Sequence, residues 1–232
     1  MKCAVEKLAL YVSPTCSDNN ELNDLIQRVV DALVAIDVSW VKPMQRRRLS
    51  QFAKMILSCA HSVNPNEEPI PIVFSSRHGD LHKTSDLLEQ LVENEPLSPT
   101  QFGLSVHNAV VGLLSILTNN KAPITAIAGG MDSLSSALCE AYIQLHSGVT
   151  DKVMIIHADR ELPNLYKEFA DELQCDHCIA FILEKPLNSD GFELQQTARQ
   201  EPQSSLVSSL KLAYALTHKS DLVIDTWRIS HG

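Results

Sequence analysis

The chain has 232 residues, of which 44% are hydrophobic and 20% charged, and its formal net charge is −9 at pH 7. This length is enough for one large domain with a substantial core. The acidic balance argues against nucleic acids and anionic membranes as partners, because both need a basic face. No apolar run is long enough to cross a bilayer and no cleavable signal is recognisable, so we expect a single cytoplasmic domain over residues 1–232.

Six cysteines are scattered along the chain, which favours reduced thiols over a disulfide scaffold. Cys175 and Cys178 have the spacing of metal ligands, with His177 between them, but no second pair completes a tetrahedral set. A turn that enters a strand is the simpler interpretation of this segment. We therefore expect no metal and no other cofactor.

Hydrophobic periodicity predicts an alternation of strands and helices. The first half of the chain is predicted to contain a strand over residues 5–12, a helix over 21–37 opened by a capping box of Asp18 and Glu21, a helix opened by Arg46, Arg47 and Arg48, a strand over 72–74 and a helix after Asp80. The central part is predicted to contain a strand over 102–106, a helix over 109–117, a strand before Gly129 and a helix after Asp132. The last part is predicted to contain a strand over 153–158, a helix from Pro163, a strand over 178–183, a helix over 206–217 and a strand over 222–229. The segment 186–203 is predicted as a loop. Such an alternation predicts a layered α/β fold with a mostly parallel sheet.

Three consecutive arginines, Arg46, Arg47 and Arg48, stand before an apolar helix face that contains Leu49, Phe52, Ile56, Cys59 and Val63. A basic run of this kind suits the docking of an acidic carrier protein or a phosphate. The alternative is a solvated first turn in which one arginine forms a structural ion pair. Because positive charge in a first turn opposes the helix dipole, we expect acidic groups to compensate it.

The loop SSRHGD follows a predicted strand and brings Arg77, His78 and Asp80 close to His82. Open α/β sheets keep their sites at such carboxyl ends of strands, so a catalytic or metal cluster is one interpretation. The other is a loop-to-helix junction, where polar residues are common. The helix that follows has an apolar face of Leu81, Leu87, Leu88, Leu91 and Val92.

The central stretch joins the predicted strand Phe102–Val106 to Ala109–Leu117, which is apolar on almost every side and is predicted as a buried helix. His107 and Asn108 lie between them, where the first turn of a helix offers free N–H groups and a positive dipole end. Asn108 is either a helix cap or the residue that a strand, sharp turn and helix present as a nucleophile. An amide cannot serve as that nucleophile.

The run SVHNAVVG resembles the active-site segment of β-ketoacyl synthases, in which a strand delivers a cysteine into a buried helix. The run AIAGGMDSLSSALCEA resembles the glycine-paired strand and helix that follow. With PMQRRRLSQFAKM and FSSRHGDLHKTSDLL, the chain resembles the short ketosynthase-like chain length factors of aryl polyene pathways, most strongly over residues 40–140. The resemblance implies a thiolase-like layered α/β/α fold, truncated to roughly the N-terminal half of a ketosynthase, with Asn108 at the position of the family's cysteine.

The resemblance also implies a function, because the histidines and lysine of a ketosynthase come from a second half whose motifs have no counterpart here. It implies a non-catalytic subunit that forms a heterodimer with an active β-ketoacyl-ACP synthase and shapes the acyl pocket while a polyene grows on acyl carrier protein. The implied residues are Phe102, Leu104, Val106, Val110 and Leu113 for the partner interface, Leu81, Leu87, Leu88 and Leu91 for the acyl pocket, and Arg46, Arg47 and Arg48 for carrier-protein docking. The alternative is an independent acyl-transfer enzyme with another nucleophile, such as His107, His78 or Cys139.

Overall fold

The computed structural model describes residues 2–14, 20–186, 191–198, 206–224 and 226–231. Their strands are β1 (Lys2–Val12), β2 (Ile72–Ser75), β3 (Ile124–Ile127), β4 (Lys152–Asp159), β5 (His177–Glu184), β6 (Phe192–Gln196), β7 (Leu222–Ile224) and β8 (Trp227–His231). They form one sheet in the order β3-β2-β4-β5-β1-β6-β8-β7. The helices are α1 (Asn20–Arg28), α2 (Pro43–Arg46), α3 (Gln51–Val63), α4 (Leu81–Val92), α5 (Pro99–Ser105), α6 (Ala109–Leu117), α7 (Ser133–His146) and α8 (Ser208–His218).

The sheet is mixed, so the expectation of a mostly parallel sheet is wrong. Strand β2 pairs in parallel with β3 and with β4, and the other neighbouring pairs are antiparallel. Parallel neighbours need a long crossover connection, usually a helix. Between β4 and β5 the chain forms only a 3₁₀ segment, Asn164–Phe169, and β5 returns beside β4 in the opposite direction.

Buried side chains form two core clusters, one on each face of the sheet. Val153 and Ile155 of β4 belong to the first cluster, whereas Met154 and Ile156 belong to the second, because successive side chains of a strand point to opposite faces. Helices α7 and α8 pack against the first face, and helices α3 and α6 pack against the second. The layered α/β/α fold is therefore confirmed.

The helical periodicity of the two best-packed helices is confirmed. In α7 the predicted face is buried throughout; it consists of Leu134, Leu138, Ala141 and Leu145. In α3 the buried face includes Phe52, Ile56, Cys59 and Val63, as predicted. These residues repeat at the spacing of one helical face, which tertiary packing then covers.

Four other predicted elements differ from the structure, and Asp18 of the predicted capping box lies outside the described residues. The predicted helix over 21–37 ends at Arg28, because the chain then runs beside β1, where the Val34 N–H donates to the Leu10 carbonyl at 2.8 Å. The predicted helix from Pro163 is the short 3₁₀ segment, whose Leu165 and Phe169 are exposed. The segment 222–229 contains parts of the antiparallel strands β7 and β8 rather than one strand. The described part of the predicted loop 186–203 contains strand β6, and residues 187–190 and 199–203 of that loop lie outside the described residues.

No single helix of the described residues is long and apolar enough to cross a membrane. Helices α5 and α6 reach the required length and composition only together, and their axes are bent by 99°.

Helix α3 begins at a side-chain cap, since the Ser50 hydroxyl accepts a hydrogen bond from the Ala53 N–H at 3.1 Å. We expect Ser50→Ala to lower the free energy of unfolding by about 1 kcal/mol, because it leaves that N–H without its partner. Urea denaturation measures the change. Ser147→Ala is the control: among the described residues this exposed hydroxyl bonds the Gln144 carbonyl alone, at 3.3 Å, and we expect a change within about 0.5 kcal/mol. Equal losses in the two variants would show that the cap contributes nothing specific.

Candidate functional site

A partly open cavity of about 230 Å³ lies where the N-terminal ends of α3, α4 and α6 meet α5. Most of its wall is apolar and consists of Leu49, Phe52, Ala53, Leu104, Val106, Ala109, Val110 and Leu113. Its polar groups include Arg48, Asp80, Lys83 and His107. An apolar cavity with a few polar groups is the usual form of a small-molecule site. This cavity suits an apolar chain with a polar or charged group at one end.

The loop between β2 and α4 is held by one buried carboxylate. Asp159 accepts hydrogen bonds from the Ser76 hydroxyl at 2.8 Å and from the backbone N–H groups of Arg77 and His78 at 3.0 Å. Gly79 has a φ of +63°, which favours glycine, and its N–H donates to the Ser76 hydroxyl at 2.8 Å. These bonds bring the chain to Asp80 at the start of α4.

Asp80 is the most unusual polar group of the cavity. Its side chain is on a residue that is only 7% exposed, and its Oδ1 has no hydrogen-bond partner among the described residues. Buried polar atoms without a partner are rare and call for an explanation. The sequence indicated Asp80 only as one of several polar loop residues, and no pattern distinguished it from them.

Arg77 of this loop and His82 of α4 bond other segments and do not join Asp80 in a cluster. Arg77 forms a two-point ion pair with Asp171, at 2.8 and 2.7 Å, and a further contact with Glu172. These bonds raise the pKa of Arg77, and the same hydrogen bond lowers the pKa of Asp171. His82 bonds the Glu161 carbonyl through Nε2 at 2.8 Å. Arg77 and His82 therefore connect the loop and α4 to the chain after β4.

The predicted strand Phe102–Val106 is wrong, because these residues lie in and just after helix α5. Ser98 caps that helix by accepting from the Gln101 N–H, and Pro99 occupies its first turn. Serine followed by proline is a helix-start signal, and here it outweighs the apolar strand-like run. The chain then bends sharply into α6.

His107 and Asn108 lie at this bend. His107 Nε2 bonds the Ser76 carbonyl oxygen at 3.0 Å, and its ring lies 5.3 Å from that of Phe74, so it connects the bend to the loop after β2. Asn108 is exposed, and although it is the N-cap residue of α6, its side chain makes no capping hydrogen bond. Asn108 therefore follows helix α5. In the arrangement expected for a nucleophile position, it would follow a strand.

The arrangement of strand, turn and buried helix occurs instead between β3 and α7. Strand β3 ends at Ile127, and a 3₁₀ turn over Gly130–Asp132 leads into α7. A Cβ atom on Gly129 would lie 3.1 Å from the Ser136 hydroxyl, which confirms close packing of the turn against the helix. The turn carries no thiol, and Cys139 lies further along α7.

Helix α6 is buried on one side only, so the prediction of burial all round is wrong. Val110, Val111 and Leu114 are buried, whereas Ile116 is 73% exposed because no described element covers it. Among the predicted interface residues, Phe102 is 61% exposed and Val106 is also exposed. The other three line the cavity, where Val110 is buried and Leu104 and Leu113 are half-buried.

The predicted acyl-pocket leucines do not line the cavity. Leu87 is buried and Leu81 half-buried, while Leu88 and Leu91 are exposed on the outer side of α4. The N-terminal end of α4 reaches the cavity instead with two charged residues, Asp80 and Lys83.

The three arginines precede α3 rather than opening it. Arg46 ends the short helix α2, and Arg47 and Arg48 are exposed in the link to Ser50. The expected conflict with the dipole of a first turn therefore does not arise. Of the three, Arg48 lies at the cavity.

Solved ketosynthase structures share this fold. One of them is the complex of the ketosynthase ApeO with its chain length factor ApeC from Xenorhabdus doucetiae. One chain of this complex has a TM-score of 0.80 and 24% identity, with 100% of both chains covered. The ishigamide ketosynthase/chain length factor has a TM-score of 0.63 and 15% identity over 84% of this chain and 68% of that one. The ketosynthase of module 6 of the bacillaene synthase from Bacillus subtilis 168 has a TM-score of 0.55 and 10% identity, and the match covers 87% of this chain and 42% of that one.

The chain therefore has the fold of a ketosynthase-like protein, as its resemblance implied. Residues 21–229 match the family model of the β-ketoacyl synthase N-terminal domain, and the chain belongs to this family. No curated protein sequence matches the chain.

Proposed function

We propose that the chain is a non-catalytic chain length factor that forms a heterodimer with an active β-ketoacyl-ACP synthase in the cytoplasm. In this role it shapes the pocket that receives the acyl chain while a polyene, such as an aryl polyene, grows on acyl carrier protein. The observation that carries the proposal is that the apolar cavity borders an exposed apolar face on α5 and α6. The likeness over its full length to a chain of the ApeO–ApeC complex supports it.

The exposed face has the properties of a protein interface. It contains the exposed side chains of Phe102, Val106 and Ile116, and large apolar groups left exposed on neighbouring helices indicate a surface that a partner covers. Strand β3 lies nearby in sequence and is an edge of the sheet, since it is the first strand in the order and pairs with β2. Edge strands present unpaired backbone groups that another chain can cover.

Basic residues at the cavity support an indirect role for the carrier protein. Arg48 and Lys83 lie at the cavity wall, and Arg46 and Arg47 stand just before it. Acidic carrier proteins dock on basic patches, and this basic group stands out because the chain as a whole is acidic, with a net charge of −9. We therefore propose the three arginines as docking residues at the mouth of the shared pocket.

No observation favours the alternative of an independent acyl-transfer enzyme. His107 bonds a backbone carbonyl, and Cys139 packs against the core. Ser75, His157 and Asp159 follow one another like a catalytic triad, with Ser75 Oγ 2.9 Å from His157 Nδ1. Ser75 is fully buried, however, and no acyl thioester can reach it.

The test measures condensation activity and acyl adducts, first for the isolated chain and then for its complex with the partner ketosynthase. We expect no condensation and no acyl adduct on the isolated chain, because the described cavity wall carries no thiol to accept the acyl group. Asn108→Ala should leave condensation by the complex unchanged and alter the free energy of unfolding by less than about 0.5 kcal/mol, since the side chain is exposed and caps nothing. Asn108→Cys should remain inactive alone.

Intact-mass spectrometry after incubation with an acyl thioester measures the adduct. The control is the complex, in which the partner ketosynthase should carry the acyl group. An acyl group bound to the isolated chain, followed by condensation without any partner, would show that the chain is itself an enzyme.

A further inference from the structure

Three buried polar side chains face one another on the face of the sheet that α7 and α8 cover, opposite the face that carries the cavity. Asp159 at the end of β4 lies directly opposite His177 at the start of β5, and His157 stands two residues earlier on the same face. The three residues are 7%, 5% and 3% exposed for His157, Asp159 and His177. One nitrogen or oxygen atom of each lies within 4.8 Å of the others.

Both imidazole rings are held by a hydrogen bond on the nitrogen that faces away. His177 Nδ1 bonds the Cys175 carbonyl oxygen at 3.0 Å, and because a carbonyl can only accept, Nδ1 carries the proton and Nε2 faces the cluster. His157 Nδ1 bonds the Ser75 hydroxyl at 2.9 Å, which leaves its Nε2 toward Asp159. Metal-binding histidines are neutral and are oriented by such bonds on the second ring nitrogen.

The Asp159 carboxylate both accepts hydrogen bonds from the loop after β2 and lies next to the imidazole of His157. Oδ1 of Asp159 accepts from Ser76, Arg77 and His78, whereas Oδ2 accepts from the Arg77 N–H and lies 3.7 Å from His157 Nε2. This distance is too long for a hydrogen bond. It is close to the separation of about 3.4 Å between two ligand atoms that each lie about 2.05 Å from a tetrahedral zinc ion.

We propose that His157, Asp159 and His177 bind one divalent transition-metal ion, with Zn²⁺ as the favoured ion. Two imidazoles and one carboxylate are a ligand set that such ions prefer, and Mg²⁺ or Ca²⁺ would take oxygen ligands instead. The site differs from the cysteine pair that the sequence suggested, because Cys175 and Cys178 belong to core clusters on opposite faces of the sheet. The spacing of these three ligands matches no motif, since they meet only through the pairing of β4 with β5.

The ion has a structural role that reaches the cavity. Asp159 holds the loop that ends at Asp80, and His177 begins the strand that follows the Asp171–Glu172 segment. An ion shared by these two residues would fix both segments relative to β4. Binding to the folded state alone would then stabilise the chain.

The experiment measures metal in the purified full-length chain, after equilibration with excess Zn²⁺ and removal of the free ion. We expect elemental analysis to find one zinc per chain, and Co²⁺ to give the visible absorption of a tetrahedral site. Zn²⁺ should raise the unfolding temperature of the wild type. Ser75→Ala should weaken binding by about 10- to 100-fold, because it removes a bond that orients His157.

His177→Gln should abolish binding, and circular dichroism checks that the variant is folded. His218→Gln, which changes an exposed histidine of α8, is the matched control and should bind one ion like the wild type. A wild-type chain that retains no zinc and gives no Co²⁺ spectrum would overturn the proposal. So would a folded His177→Gln variant that binds zinc as tightly as the control.

Discussion

Ile116→Asp is expected to abolish co-purification of the chain with its ketosynthase partner while leaving the chain folded. Ile116 is 73% exposed, so an aspartate there remains solvated in the free chain. If a partner covers α6, the new carboxylate is buried without a counter-ion, at a cost of several kcal/mol. Each 1.4 kcal/mol weakens binding about tenfold, so the loss of affinity should exceed about 100-fold. Pull-down from co-expressing cells and titration of the purified chains measure it.

Val149→Asp is the matched control for this variant. Val149 is 69% exposed like Ile116, but it lies between α7 and β4 and belongs to neither α5 nor α6. We expect it to pair like the wild type. Leu104→Asp is a less clean test, because Leu104 lines the cavity and a charge there would also disturb folding. Normal pairing of Ile116→Asp, or equal losses in the two aspartate variants, would place the interface elsewhere.

Leu113→Trp is expected to shorten the acyl chains that the heterodimer makes. Leu113 is half-buried and lines the cavity, so a larger side chain fills space that an extending chain would occupy. Forcing a chain into an overfilled site costs about 1 to 3 kcal/mol, which is enough to shift the product distribution by one or more two-carbon units. Mass spectrometry of the carrier-bound products, with the partner ketosynthase unchanged, measures the distribution.

Leu88→Trp tests whether the acyl chain extends along the apolar side of α4 rather than into the cavity. The sequence suggested Leu88 as a pocket residue, but the side chain is exposed and does not line the cavity. We therefore expect its products to match those of the wild type. Shorter products from Leu88→Trp but not from Leu113→Trp would mean that the acyl chain extends along α4. Unchanged products from both active variants would make the chain a scaffold that does not measure length.

Local patterns predicted those parts of the fold whose residues repeat at a helical or strand period. The buried face of α7 and the apolar run of β4 are examples, because one covered face leaves a regular trace in the sequence. Strand direction was not predictable in the same way, since the pairing of β4 with β5 joins residues far apart in the chain. The error at Phe102 was local, because the start signal at Ser98 and Pro99 outweighed a short apolar run.

The candidate site was less predictable than the fold. Its cavity joins side chains from Arg48 to Leu113, and only packing of the surrounding helices brings them together. The sequence correctly placed His107 and Asn108 at the start of α6, but it could not show that a helix precedes them. The unpartnered oxygen of Asp80 and the meeting of His157 with His177 are likewise visible only in three dimensions.

The mass of the species that this chain forms with a co-expressed β-ketoacyl-ACP synthase tests the central proposal most directly. Obligate interfaces commonly bury more than about 2,000 Å², so the complex should survive purification. We predict that size-exclusion chromatography with light scattering gives one peak whose mass is the sum of one copy of each chain. Two separate peaks at high concentration, with this chain alone in one of them, would contradict the proposal.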